Sequence, residues 1–180
     1  VESVVDGMLS TVVNGNSLAG TTLEAFLVAA VPEETFKLLA LWWVLRRNPY
    51  YDEHFDGIVY AVSVGLGFAA TENVLYLFNY ADEWQSVALT RALLAVPGHY
   101  AFAILMGYYY SVHHFTDHSA WTAVCILLVP VLAHGTYDAL ALSGQVSPVL
   151  GGIAFLVALY LSVIFFDTLS FEQFISRSEE

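Results

Sequence analysis

The sequence predicts an all-α, polytopic transmembrane helix bundle with at least five spanning helices and an N-terminal amphipathic or partial helix. Of the 180 residues, 58% are hydrophobic and only 12% are charged, about half the charged share of a soluble domain. The mean hydropathy is +0.64. Such a chain has too little polar surface to cover one water-soluble domain. Its apolar residues also cluster in segments of the roughly 20 residues that a helix needs to cross a bilayer.

Five apolar segments account for most of the chain. We predict helices rather than strands, because a spanning strand would be about 10 residues long and would alternate strictly. Short linkers with turn and charge signals separate the segments, and no internal repeat is visible, so residues 1–180 are predicted to form one domain. The predicted spans are roughly 20–45, 55–79, 86–111, 119–142 and 148–168.

The first 19 residues have a different pattern. Apolar residues from Val4 to Val13 recur at four-residue spacing, and Asn14-Gly15 ends the run. This pattern favours an amphipathic helix in the membrane interface. The remnant of a further transmembrane helix is the alternative. The chain begins with Val1, which is compatible with a fragment or a processed product.

The basic residues predict the orientation in the membrane. Arg46 and Arg47 follow the first span and Arg177 follows the fifth. Strict alternation of the spans puts both positions on one side, which the positive-inside rule assigns to the cytoplasm. We therefore expect an integral protein of a prokaryotic cytoplasmic membrane.

Charge and cysteine content exclude several classes of protein. The net charge is -12 and the chain has a single lysine, so it lacks the basic cluster that nucleic acids require. The acidic surplus is typical of a high-salt source. The single cysteine excludes an internal disulfide and a cysteine-rich metal site.

Four of the five spans carry ionisable side chains deep inside, where a charge costs roughly 2.5–3.5 kcal/mol. Six of the eight groups lie between 4 and 13 residues from the predicted non-cytoplasmic ends of their spans, within about 15 Å of one another in depth. We expect all eight to face one another or a wet cavity. They are Glu33, Glu34, Lys37, Glu72, Arg91, His99, His134 and Asp138.

Residue spacing predicts which helix faces carry these groups. His134 and Asp138 are four residues apart and share a face. Glu33 and Lys37 have the same spacing and can pair. Glu72 shares its face with a stripe of small residues, which lets a neighbouring helix come close. That stripe is Ala61, Gly65 and Ala69, and prolines that should kink their helices precede the site residues at Pro32, Pro97 and Pro130.

These residue types suit the activation of water. A glutamate shielded from bulk water can act as a general base near neutral pH. Histidine can bind a metal or stabilise an oxyanion, and histidine with carboxylates also matches a catalytic zinc site. The candidate zinc ligands are His99, His134, Glu72 and Asp138. No His-Glu-x-x-His motif occurs, so a site without metal stays open.

Five short motifs occur in a distinctive order. They are residues 32–37 (Pro-Glu-Glu-Thr-Phe-Lys), 55–60 (Phe-Asp-Gly-Ile-Val-Tyr), 65–73 (Gly-Leu-Gly-Phe-Ala-Ala-Thr-Glu-Asn), 97–99 (Pro-Gly-His) and 134–138 (His-Gly-Thr-Tyr-Asp). This order resembles the PrsW family of intramembrane proteases, which is related to the CAAX prenyl endopeptidases and the bacteriocin-processing membrane proteases. The resemblance covers about residues 20–142.

The resemblance implies a multi-helix membrane peptidase whose substrate is a membrane-associated protein, in some members an anti-sigma factor. The paired glutamates of the family match Glu33 and Glu34, and its two histidines match His99 and His134. Its last acidic position matches Asp138, which is often asparagine in the CAAX-type relatives. The family name carries the word metalloprotease, whereas related enzymes are described as glutamate-dependent without metal.

The favoured function is therefore an intramembrane endopeptidase. Glu33 or Glu34 activates water, His99 and His134 bind zinc or hold the oxyanion, and Glu72 and Asp138 orient them. A structural ion pair with the single lysine is the alternative role of the two glutamates. A proton-coupled transporter is one alternative function, because intramembrane Glu, His and Arg also serve in proton relays. A non-catalytic membrane scaffold is the other.

Overall fold

The computed structural model describes residues 18–142 and Val157, and every regular element in this part of the chain is helical. The α-helices are α1 (Leu18–Glu24), α2 (Val31–Leu45), α3 (His54–Asn79), α4 (Trp84–Thr90), α5 (Val96–Phe115) and α6 (Ala120–Leu142). Two π-helical turns, Ala25–Ala30 and Arg91–Ala95, join α1 to α2 and α4 to α5. A 3-10 turn, Ala81–Glu83, precedes α4. The described chain therefore forms four helical rods, at residues 18–45, 54–79, 81–115 and 120–142.

The four rods overlap four of the five predicted spans, but the described residues do not confirm the predicted count of at least five spanning helices. Three of them, His54–Asn79, Ala81–Phe115 and Ala120–Ala141, are long and apolar enough to cross a membrane. The first rod is as long but carries four charged residues, Glu24, Glu33, Glu34 and Lys37. Apart from Val157, the predicted fifth span at 148–168 lies outside the described residues, as do residues 1–17 of the predicted N-terminal helix.

The third rod differs from its predicted extent. It begins at Ala81 rather than near residue 86, and α5 continues to Phe115, so His113 and His114 lie in the helix and not in the predicted loop. Their side chains are polar at the membrane boundary, and this ended the apolar run in the sequence without ending the helix. Asp56 caps the start of α3, because its Oδ2 atom accepts a hydrogen bond of 2.9 Å from the Glu53 N–H.

Each π-helical turn stands directly before a helix that has proline in its first turn. Proline has no N–H, and its ring crowds the carbonyl four residues earlier. A wider π turn before Pro32 and before Pro97 accommodates this local conflict. Such turns are frequent at functional sites. Here they position the first turns of α2 and α5, which carry the predicted glutamates and the first predicted histidine.

Small residues bring α3 and α5 into close contact. A stripe on α3 is buried, as its spacing predicted. A Cβ atom on Gly65 would lie 2.7 Å from the Cβ of Ala103, and one on Gly107 would lie 2.7 Å from the Cα of Ile58. Neither glycine has room for a side chain, so the two backbones approach as closely as small residues permit. The buried stripe is Gly57, Ala61, Gly65 and Ala69.

The outer surface of the rods is apolar. Large hydrophobic side chains are exposed along the helices, and all four tryptophans lie near the ends of the rods. An apolar outer face with tryptophan at its ends is typical of a protein in contact with lipid. The exposed tryptophans are Trp42, Trp43, Trp84 and Trp121.

Candidate active site

Ionisable side chains from all four rods meet in one network between the helices, as their shared depth predicted. The first rod contributes two carboxylates and the lysine, and each of the other three rods contributes one or two groups. The network therefore depends on the packing of the whole bundle and not on any single helix. Its members are Glu33, Glu34, Lys37, Glu72, Arg91, His99, His134 and Asp138.

Lys37 lies at the centre of the network. Its Nζ atom is 2.6 Å from Glu34 Oε1 and 3.7 Å from Glu33 Oε2. The same atom is 2.8 Å from His99 Nδ1 and lies 4.8 Å from the centroid of the Phe68 ring. The predicted pairing of Lys37 with the two glutamates is present. The contact with His99 was not predicted, because it joins helices that are far apart in the sequence.

His99 has a different neighbour on each ring nitrogen. Nδ1 faces the ammonium group of Lys37, which can only donate a hydrogen bond. Nε2 lies 2.8 Å from Glu72 Oε2, which can only accept one when ionised. These neighbours assign the neutral tautomer in which Nδ1 accepts and the Nε2–H donates.

Arg91 is held by three side chains of α3. Its guanidinium forms an ion pair of 2.8 Å with Glu72, and its Nε–H donates to Asn73 Oδ1 at 2.6 Å. The guanidinium carbon also lies 3.8 Å from the centroid of the Tyr76 ring. Arg91 is thus the counter-ion of Glu72.

His134 has carboxylate oxygens at both ring nitrogens. Nδ1 lies 2.8 Å from Glu34 Oε1, and Nε2 lies 3.2 Å from Asp138 Oδ2. An imidazole can donate from both nitrogens only as the imidazolium cation, so this geometry favours a positively charged His134. The ring stacks on Phe102 with a centroid distance of 4.8 Å, which fixes its plane.

The two adjacent glutamates differ in their partners and in their access. Glu34 Oε1 contacts both Lys37 Nζ and His134 Nδ1, and the Glu34 side chain is 0% exposed. Glu33 Oε2 is buried without a hydrogen-bond partner, 3.9 Å from His134 Nε2, and its side chain is 11% exposed. Four carboxylates therefore face three cations in the network, and Glu33 is the carboxylate with the weakest contacts.

One side of the network is more open than the other. Asp138 is the most exposed member, with 22% of its side chain accessible, and Glu72, Arg91 and Glu33 are partly accessible. The remaining members are almost completely enclosed. The more accessible side of the network is therefore that of Asp138, Glu72 and Glu33.

Three members of the network form a possible metal-binding group. Glu33, Glu72 and His99 each offer one ligand atom, and these atoms all lie within 4.8 Å of one another. The sequence had suggested Glu72 and His99 together with His134 and Asp138. Among the described residues, the group within this distance consists of Glu33, Glu72 and His99. It does not include His134 or Asp138.

The chain matches the family model described as "PrsW family intramembrane metalloprotease" over residues 1–167. It belongs to the PrsW family. The resemblance found in the five sequence motifs is therefore confirmed. No solved structure matches the chain significantly.

Curated relatives named "Protease PrsW" occur in several bacteria. The Geobacillus kaustophilus protein is 38% identical over 132 residues, which are 71% of this chain and 56% of that protein. The Bacillus subtilis protein is 39% identical over 122 residues, 66% of this chain and 54% of the relative. The Shouchella clausii protein is 34% identical over 142 residues, 78% and 65% respectively. The chain thus spans about half the length of the first two.

Two contributors to the network carried only weak signals in the sequence. Phe102 lies three residues after His99 on α5 and packs against both imidazoles, with centroid distances of 6.3 Å and 4.8 Å. Asn73, next to Glu72, binds Arg91 rather than Glu72. The only sequence signal for Phe102 was its position one turn from a buried histidine. No sequence signal indicated that Asn73 would bind Arg91.

Proposed function

We propose that this chain is an intramembrane endopeptidase in which Glu33 activates the attacking water. The observation that carries this proposal is a difference in exposure. Each of the two adjacent glutamates has a buried Oε2 atom without a hydrogen-bond partner, but the Glu33 side chain is 11% exposed and the Glu34 side chain is 0% exposed. A general base needs a free lone pair within reach of the water that it deprotonates. Glu34, enclosed and bound to two cations, has a positioning role in this proposal.

The proposed reaction is the addition of water to a peptide carbonyl. Glu33 takes one proton from water while the oxygen of the water bonds to the carbonyl carbon. This addition forms a tetrahedral oxyanion. The charge of His134, 3.9 Å from Glu33 Oε2, favours this anion in a site of low dielectric constant. The C–N bond then breaks and Glu33 returns the proton to the leaving nitrogen. The products are a carboxylic acid and an amine, which exchange a proton to become a carboxylate and an ammonium group.

The remaining groups orient the two histidines. Glu72 accepts from His99 Nε2–H, and Asp138 faces His134 Nε2. A carboxylate at the outer nitrogen of an imidazole fixes its tautomer and ring orientation. This division matches the roles that the sequence suggested for Glu72 and Asp138. It leaves His99 as a neutral donor and His134 as a cation.

The contacts of the described residues do not fit a metal ion bound to His99. A metal-bound imidazole normally donates its other N–H to an acceptor. His99 Nδ1 instead faces a donor, the Lys37 ammonium, and Nε2 is the nitrogen that donates to Glu72. Glu72 is also paired with Arg91. Zinc would supply an activated water in such a site, but no step of the proposed reaction uses it.

The proposed substrate is a membrane-associated protein, with an anti-sigma-factor-like protein as one candidate. The site lies among helices that are apolar enough to cross a membrane, so the cleaved bond has to enter from the bilayer or its interface. The proposed location is a prokaryotic cytoplasmic membrane, and a high-salt source agrees with the net charge of -12.

A membrane-anchored reporter tests this function. The purified chain and the reporter are placed in liposomes, and the products are identified by mass spectrometry. We expect wild-type protein to cut the reporter and Glu33→Gln to lose the activity. Glu24→Gln is the matched control, because Glu24 is an exposed glutamate on the same rod.

Three outcomes would reject the proposal. Undiminished cutting by Glu33→Gln would remove Glu33 from the reaction. Transport of a solute by wild-type protein without any cleavage would favour the transporter alternative, and activity that requires a constant partner protein would favour the scaffold alternative.

A further inference from the structure

We propose that Lys37 is the resident cation of this site and excludes a divalent metal from the neighbouring donor group of Glu33, Glu72 and His99. This inference rests on the proposed role of the acidic network. It assigns a role to Lys37, the single lysine of the chain. Neither the motif resemblance nor the family description gives this residue a role. The lysine is then a positioning residue, since it acts through the carboxylates and the histidine around it.

The first observation is geometric. The Nζ atom lies 2.6 Å from Glu34 Oε1, 2.8 Å from His99 Nδ1 and 3.7 Å from Glu33 Oε2. Two oxygens and one nitrogen from two rods thus converge on a single positive centre. A bound transition metal prefers the same kinds of ligand atom, a carboxylate oxygen and an imidazole nitrogen.

The second observation is burial. The Lys37 side chain is 2% exposed and is among the largest fully enclosed side chains of the described residues. A buried ammonium is retained only when it is paired, and here it is paired on three sides and covered on a fourth by the ring of Phe68. The ammonium therefore cannot swing into bulk water to make room for an ion without a rearrangement of the packed helices.

The third observation is the proton arrangement that Lys37 imposes on His99. Because the ammonium donates to Nδ1, the proton of the neutral ring lies on Nε2 and points to Glu72. Neither nitrogen retains a free lone pair. Lys37 thus excludes a metal in two ways, through its own positive charge and through the tautomer of His99.

A metal titration tests this inference independently of proteolysis. Chelator-treated full-length protein in detergent is titrated with Co²⁺, and binding is followed by visible absorption and by metal content after gel filtration. We expect no stoichiometric Co²⁺ in the wild-type protein. We expect about one equivalent in Lys37→Met, with affinity at least about tenfold higher than in wild type. Arg46→Met, which removes an exposed cation near the end of the same rod, should behave like wild type.

A second measurement uses only the wild-type protein, so it does not depend on the folding of the variant. In protein labelled with ¹⁵N-histidine, NMR should show an unprotonated Nδ1 and a protonated Nε2 at His99. The inference is overturned if wild-type protein binds one equivalent of Co²⁺ that Glu72→Gln removes. It is equally overturned if Lys37→Met folds and binds no Co²⁺, or if the His99 proton lies on Nδ1.

Discussion

Glu33 and Glu34 are consecutive in the chain but lie in different electrostatic environments. Glu34 Oε1 is within 2.8 Å of both a lysine ammonium and an imidazole nitrogen, whereas the Lys37 and His134 nitrogens lie 3.7 Å and 3.9 Å from Glu33 Oε2. Successive residues of an α-helix point about 100° apart, so one glutamate can face the centre of the bundle while its neighbour faces the accessible side. This difference is the basis for assigning them different roles.

Glu34→Gln should lower both activity and stability. The amide would leave the Lys37 ammonium and the His134 ring without their shared anion, and breaking a buried charge pair costs about 3–5 kcal/mol. Thermal unfolding in detergent, monitored by circular dichroism, measures the loss of stability. A Glu34→Gln variant as stable as wild type would contradict the positioning role of this residue.

Arg91 is expected to act on catalysis through Glu72. Arg91→Met would remove the ion pair of 2.8 Å and free the carboxylate to rotate away from His99. We expect kcat for reporter cleavage to fall by about tenfold, which corresponds to about 1.4 kcal/mol, with little change in KM. Arg91→Lys should restore part of kcat, since it keeps the charge but not the bond to Asn73. A purely structural role would give equal loss in both variants.

The stacking of Phe102 on His134 predicts a smaller effect. Phe102→Leu should keep an apolar neighbour but lose the flat surface that fixes the imidazole plane. We expect a loss of stability of about 1–3 kcal/mol and a lower cleavage rate, whereas Phe102→Tyr should come closer to wild type if its hydroxyl finds a partner. Equal cleavage rates for wild type and Phe102→Leu would show that the plane of His134 does not matter.

The contact between α3 and α5 predicts opposite results for two glycines. Gly107→Ala would place a Cβ atom 2.6 Å from a backbone oxygen of α3, so the helices have to separate, at a cost of about 1–3 kcal/mol. Gly67→Ala adds a methyl group in open space on the same pair of helices and should be neutral or slightly stabilising. Unfolding of both variants in detergent checks the difference, and equal stabilities would contradict the packing.

Hydropathy and helical periodicity predicted the positions of the four described rods and the common depth of their ionisable groups, although the third rod is longer than predicted. The first rod, for example, begins at Leu18 where the sequence predicted about residue 20. Depth follows from counting residues along a helix, and the face of a residue follows from spacing. Neither fixes how a helix is rotated against a distant neighbour.

For that reason the partners across helices were only partly predictable. The pairing of Glu33 and Lys37 on one helix followed from their spacing, whereas the contact of Lys37 with His99 depends on the packing of α2 against the other rods. The candidate metal group changed for the same reason. Glu33, Glu72 and His99 come within 4.8 Å because of helix rotation, which residue types alone do not encode. The roles of all these residues remain proposals.

The most direct test of the account is a paired measurement on Glu33→Gln in liposomes, of the rate of reporter cleavage and of thermal stability. Glutamine keeps the shape of the side chain but cannot accept a proton from water, so we expect the rate to fall by about 10²–10⁴-fold. Because the change removes a buried carboxylate oxygen that has no hydrogen bond, we expect stability to be unchanged or higher. A rate close to wild type, or a loss of stability as large as that of Glu34→Gln, would contradict the assignment of Glu33 as the base.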